Sequence, residues 1–187
     1  MFIQTSETPN PLTLKFLVGE EVMAEGTRFM TSAQDAVDCP LAEHLFSLEG
    51  VASVFLGADF VSVTKSEAAL WSVLRPFVLA TLMDHFLSGQ PLFSQPEEGV
   101  SQNPSSEPPE DEDEVTREIR SLIDTRVRPA VARDGGDILF DHRDGGIVYV
   151  RLQGACSGCP SSTATLRSGI ENMLRYYVPE VEEVRAL

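Results

Sequence analysis

The sequence has no run near the roughly 20 apolar residues that a membrane span requires. The longest candidate, residues 70–87, is broken by Arg75, Pro76, Asp84 and His85. Its start, Met1-Phe2-Ile3-Gln4-Thr5-Ser6-Glu7, lacks the basic residues and apolar core of a secretory signal and the arginines of a transit peptide. On that reading the chain is expected to begin directly at a folded domain, and a cytoplasmic location is the expectation. Cysteine is scarce: Cys39, Cys156 and Cys159 are an odd set of three, which argues against a secreted disulfide scaffold. Bases are outnumbered, 14 Lys and Arg against 29 Asp and Glu, for a net charge of −15. With no basic patch, the expected partners include neither nucleic acid nor an anionic membrane. His44, His85 and His142 are scattered without a partner at ligand spacing, and no Ser–His–Asp set or phosphate-binding loop is present. No catalytic set is therefore nominated among them.

The charge is uneven. Residues 1–94 carry four bases and eleven acids, residues 95–114 eight acids and no base, and residues 115–187 ten of each. A length of 187 residues with 42% hydrophobic content suits one or two packed domains. The expected class is α+β: a domain at 1–93, a flexible acidic linker at 94–114, and a second domain at 115–187. In the first, alternation predicts strands over 12–18, 51–56 and 60–64, and a short helix over 40–46 with Asp38 as its cap. A long helix is expected from a Ser66 cap to about residue 87, kinked or begun at Pro76. Its buried face is read as Leu70, Trp71, Leu74, Phe77, Val78, Leu82 and Phe86. The linker is rich in Pro, Ser, Glu and Asp and has too little apolar surface to offset its ordering entropy. The second domain reads α-β-β-α-β. A helical stripe of Val115, Ile119, Leu122, Ile123, Val127, Ala130 and Val131 is bent or ended near Pro129, and strands follow over 138–141 and 147–152. A helix over 162–177 and a short strand within 181–186 complete it. Asp134-Gly135-Gly136-Asp137 reads as a turn rather than a carboxylate pair, with Gly135 in the left-handed position.

The stretch Gly154-Ala155-Cys156-Ser157-Gly158-Cys159-Pro160-Ser161-Ser162 holds two of the cysteines on a predicted strand-to-helix loop. Pro160 suits the first helical position, and Ser161 or Ser162 can cap it. Thiolates at a helix N-terminus meet unpaired N–H groups and the positive dipole end, which lowers their pKa. Gly154 and Gly158 leave room for a bulky inorganic ligand. Two thiols spaced C-x-x-C cannot complete a four-thiolate site. Either Cys156 and Cys159 form a redox pair, or a second chain supplies the other two ligands. Cys39 lies far off in sequence and is read as a small core residue.

Three stretches resemble the NifU-like C-terminal domain: Asp134-Gly135-Gly136-Asp137, residues 152–162, and Tyr177-Val178-Pro179-Glu180-Val181. The first half resembles the Nfu N-terminal domain at Thr8-Pro9-Asn10-Pro11, Ser53-Val54-Phe55, Asp59-Phe60-Val61 and residues 71–76. The resemblance covers nearly the whole chain, in the domain order of Nfu-type iron–sulfur carriers. It implies a [4Fe-4S] cluster held between two chains by Cys156 and Cys159 of each, with the loaded form a homodimer. It also implies upstream assembly proteins that load the cluster and apo iron–sulfur target proteins that receive it. The residues alone leave two alternatives open, a C-x-x-C dithiol oxidoreductase and a zinc-bridged interaction adaptor. The first domain offers no chemistry of its own and is read as a docking module that selects partners.

Overall fold

The computed structural model describes residues 2–24, 26–94, 113–157 and 160–187, with the backbone alone at 160–162. Its strands form two sheets. The first holds β1 (Gln4–Glu7), β2 (Thr13–Leu17), β3 (Arg28–Met30), β4 (Val51–Leu56) and β5 (Phe60–Lys65), all antiparallel in the order β1-β2-β5-β4-β3. Two helices, α1 (Pro40–Phe46) and α2 (Trp71–Ser88), pack with it. Alternation places Leu14, Phe16, Val54, Leu56, Val61 and Val63 in one core with Leu41, Leu45, Leu74, Val78 and Leu82.

β1 and β3 are absent from the sequence reading. Both are edge strands supported from one side, and neither is long enough to show a period of two. Asp38 does not cap α1. Cys39 holds that position, and the Asp38 carboxylate pairs with the Arg28 guanidinium at 2.6 Å instead. Nor does Ser66 cap α2, which starts at Trp71, where the indole N–H donates to the Pro11 carbonyl at 3.2 Å. The helix ends at Gly89, whose φ of +65° suits the residue after a helix. Its buried face is Leu74, Val78, Leu82 and His85, whereas Leu70 and Phe77 lie exposed. The reason is that α2 carries apolar residues on most of its circumference, so the pattern alone does not say which side faces the sheet.

The second unit begins with α3 (Glu114–Leu122), a π-helical turn (Ile123–Val127) and α4 (Arg128–Arg133). The wider turn falls where a bend or an end was expected and leaves Pro129 in the first turn of α4, where a missing N–H costs least. Ile119, Ile123, Val127 and Val131 remain on one buried face through it. Next come β6 (Gly136–Asp144) and β7 (Ile147–Gly154), paired antiparallel. The chain then crosses through α5 (Pro160–Tyr177) to β8 (Glu183–Ala186), which lies parallel to β7. Together the units make the α+β architecture expected. The linker assigned to 94–114 lies outside the described residues except Ser94, Asp113 and Glu114.

Candidate functional site

The cysteine loop leaves the end of β7 at Gly154, whose φ is +64°. The Ala155 N–H donates to the Gly135 carbonyl at 3.2 Å. The Ser157 N–H and hydroxyl both donate to the Gly154 carbonyl, at 3.1 and 2.8 Å. From α5, the Thr163 hydroxyl donates to the Cys156 carbonyl at 3.1 Å. The loop is thus tied to the β6 start, to itself and to the next helix, as the strand-to-helix reading requires.

Cys156 faces inward, only 7% exposed, and shares the second core with Ile119, Ile138 and Val150. Burial pushes its thiol up to about 12, with the Asp134 and Asp137 charges adding to the effect. This corrects the expectation of an accessible, low-pKa thiolate: the desolvation of a buried charge outweighs the helix dipole here. The Cys156 Sγ rests against Gly136, where an added Cβ would come within 2.7 Å of it. In that cradle the sulfur, a soft donor, thus packs over bare backbone with no side chain between. Cys159 lies outside the described residues, as do the side chains of Pro160, Ser161 and Ser162. Among the described residues no group of three or more His, Cys, Asp or Glu could hold a metal ion. Cys39 belongs to the other core, fully buried, with its thiol pushed up to about 11 by burial.

The Asp134-Gly135-Gly136-Asp137 turn does more than reverse the chain. Asp137, 3% exposed, accepts from Arg128 Nε at 2.9 Å and Nη2 at 2.8 Å, and from the Ile138 N–H at 2.7 Å. The Asp137 bond is the main reason that the Arg128 guanidinium sits above its usual range. The turn is therefore an ion-paired anchor behind Cys156, a role hidden in the sequence because Arg128 stands nine positions earlier.

The first unit covers this region. Lys15, Ser62 and Phe55 form a cross-strand row on β2, β5 and β4, facing away from their own core. Lys15 Nζ donates to the last carbonyls of α4, Ala132 at 2.9 Å and Arg133 at 3.3 Å, while lying over the Phe60 ring at 4.0 Å. Burial holds its ammonium below the usual lysine range, opposed by Asp59 and Asp134. Asn10 Nδ2 donates to the Ser157 carbonyl at 3.1 Å, and the Thr27 hydroxyl to Asp137 at 2.6 Å. An added Cβ at Gly135 would meet Ser62 Oγ at 2.7 Å, and one at Gly154 would meet Phe55 Cγ at 3.0 Å. The space at Gly154 is thus filled by the Gly135–Gly136 backbone of its own unit and by Phe55 of the first, rather than left open. Sequence reasoning, which set this domain apart as a docking module, misses the contact. Its only trace is a lysine at an alternate position of a strand.

Among the described residues, no helix is long and apolar enough to cross a membrane. The family model described as "Scaffold protein Nfu/NifU N terminal" matches residues 3–89, and that described as "NifU-like domain" matches residues 119–185. A protein of Drosophila willistoni named "NFU1 iron-sulfur cluster scaffold homolog, mitochondrial" is 49% identical over 185 residues, covering 98% of this chain and 63% of its own length. Its Drosophila ananassae namesake gives the same identity and coverage. The chain thus spans less than two thirds of these curated relatives. A solution structure of a NifU-like protein from Saccharomyces cerevisiae is 24% identical, with a TM-score of 0.46, covering 51% of this chain and 87% of that one. The relatives' mitochondrial names overturn the cytoplasmic expectation. That expectation leaned on the character of the first seven residues, which carry no information about a segment removed or lying elsewhere.

Proposed function

Because the chain belongs to the Nfu/NifU family, with an Nfu N-terminal and a NifU-like domain in that order, we propose that it is a mitochondrial iron–sulfur scaffold without turnover chemistry of its own. Its cargo is a [4Fe-4S] cluster, taken from upstream assembly proteins and passed to apo iron–sulfur targets. Cys156 and Cys159 of two chains supply the four thiolates, since one C-x-x-C pair satisfies half of such a cluster. The division is 1–93 and 115–187 for the domains and 94–114 for the linker. The observation that carries the reading is the Cys156 thiol on a family-specific loop, set over Gly136 with no room for another side chain.

Chemically, this chain's part is to present sulfur and then surrender it. Each thiol must lose its proton as it binds, so loading releases protons and is favoured by higher pH. Asp137 and Arg128 fix the turn beneath the sulfur, and Thr163 fixes the loop from α5. Transfer proceeds by exchange of one thiolate at a time for a thiolate of the target.

The test is anaerobic reconstitution of the full chain with iron and sulfide, followed by iron and sulfide analysis, absorption spectroscopy and sedimentation. The expected result is a coloured dimer with two irons per chain, which follows from four irons shared by two chains. A colourless zinc-bridged dimer supports the adaptor, and a colourless monomer with only a reducible disulfide supports the oxidoreductase. Either overturns the proposal.

A further inference from the structure

The face of the first sheet turned away from α1 and α2 is buried and yet sets polar groups among the Phe55 and Phe60 rings. Asn10, Lys15 and Ser62 are each less than a tenth exposed, and Ser62 Oγ has no hydrogen-bond partner among the described residues. What covers them is the second unit's α4 end, its glycine turn and its cysteine loop. We propose that this face is a docking surface for the chain's own cysteine loop, and that it competes with a second copy of the chain for that loop. The first unit clasps the loop in the empty single chain and releases it when two loops meet across a shared cluster. The competing partner, a second copy, rests on the scaffold reading above.

Three observations carry this. First, a thiol 7% exposed cannot meet thiols of another chain across a common cargo unless its surroundings move. Second, the covering is specific. Asn10 holds the Ser157 carbonyl, one residue beyond Cys156, while the Phe55 ring packs beside Gly154, 3.0 Å from where a Cβ would lie. Thr27 reaches Asp137, behind the Cys156 thiol. Third, the contact has the composition of a separable interface. Its hydrogen bonds run from side chains of the first unit to backbone carbonyls, or to a carboxylate that Arg128 already pairs. Every one of those groups is readily hydrated when the units part, and Ser62 gains water that it lacks when clasped. The sheet's other face packs an apolar core, whereas here Phe55 and Phe60 share the buried surface with Asn10, Lys15 and Ser62.

The experiment uses the full chain and an unusual feature of its composition: Lys15 and Lys65 are its two lysines. Lys65 bonds within its own unit, to the Ser66 carbonyl, and serves as an internal control. Acetylation of both amines is followed by mass spectrometry, with alkylation at Cys156 mapped in parallel. In the empty chain Lys15 reacts about tenfold more slowly than Lys65, and Asn10→Asp removes most of that protection and speeds Cys156 alkylation by about tenfold. Asn10→Asp is chosen because Asn10 Oδ1 accepts from the Leu12 N–H at 3.0 Å, a bond that a carboxylate keeps, while the donor to Ser157 is lost. Thr27→Val is the second variant, removing the hydroxyl to Asp137, and it decides the matter if Asn10→Asp fails to fold. In the cluster-loaded wild type, Lys15 reacts as fast as Lys65. Lys15 that stays protected in the loaded dimer overturns the clasp, as do rates unchanged in a folded variant. Failure of the scaffold reading shows separately, as absence of iron. The empty-chain rates then decide whether the docking surface exists, and the competition with a second copy is overturned.

Discussion

Cys39 and Cys156 make an instructive pair. Both are buried, and burial pushes both thiols up, to about 11 and about 12. Cys39 opens α1 within its own unit's core, and its neighbouring charges, Arg28 and Asp38, oppose one another and are paired together. Cys156 faces two acids of the same sign, Asp134 and Asp137, and its loop is covered by side chains from the other unit. Burial therefore does not separate a structural thiol from a ligand. Both thiols lie in their own unit's core, and the difference is that Cys156 sits at the edge of a loop which side chains of the other unit also hold.

The largest expected effect breaks the pair apart. Cys156→Ser or Cys159→Ser abolishes iron retention after reconstitution, whereas Cys39→Ser keeps the full complement. Iron per chain, measured after gel filtration, checks this. Full retention by Cys156→Ser removes the site. Dimer formation follows the same division: the loaded Cys39→Ser protein sediments as a dimer and the two loop variants as monomers, because association draws its free energy from the shared ligand set.

A smaller effect sharpens what the Cys156 cradle means. At Gly136 an alanine Cβ would lie 2.6 Å from the Gln153 carbonyl oxygen and 2.7 Å from Cys156 Sγ, so backbone must shift. Gly136→Ala should cost about 1–3 kcal/mol of stability, as overpacking does elsewhere. Gly169 within α5 has nothing within 4 Å of such a Cβ. Gly169→Ala should add about 0.5–1 kcal/mol through the lower entropy of the unfolded chain. Denaturant melts of both variants test the contrast, and equal shifts of the same sign would falsify the cradle.

The parts of this structure legible in the sequence are those that local periodicity controls. β2, β4 and β5 follow from alternation, and α1 stands at the residues predicted for it. The cysteine loop is legible because C-x-x-C lies between a strand pattern and a helix pattern. Thr8-Pro9-Asn10-Pro11 is visible as a family signature, but its physical reason is not: Asn10 closes its own turn with one amide atom and reaches Ser157 with the other. The buried side of α2 is hidden by apolar residues on several sides. The burial of Cys156 and of the Lys15–Ser62–Phe55 row depends on a contact spanning more than a hundred residues, about which no local pattern carries a sign. A low thiol pKa inferred from helix position fails for the same reason, since the dipole is local and the desolvation is not.

The smallest effect distinguishes the two units by pH. His85 in α2 is 3% exposed, and burial holds its imidazole below the usual value, with His44 adding and Asp84 opposing. The fold therefore favours the neutral ring, while the unfolded chain takes up a proton near the ordinary value of about 6.5. The unfolded state binds more protons below that point, so His85's contribution is complete above pH ~6.5 and declines as pH falls through it, levelling off below the folded value. In the second unit, the Asp141 carboxyl is held below the usual range, first by its bond from His142 and also by Arg151. Its contribution is present above the unfolded value of about 3.9 and is lost as pH falls through the lower folded value. Between roughly pH 6.5 and 3.9, set by those two ordinary values, His85 weakens the first unit while Asp141 still supports the second. The chain supplies its own probes. Trp71, the single tryptophan, opens α2, and the three tyrosines, Tyr149, Tyr176 and Tyr177, all lie in the second unit. Thermal melts followed by tryptophan fluorescence should shift downward across this window, and tyrosine absorbance should not. His85→Leu should flatten the tryptophan response; a slope that survives that substitution assigns the pH dependence to a group other than His85.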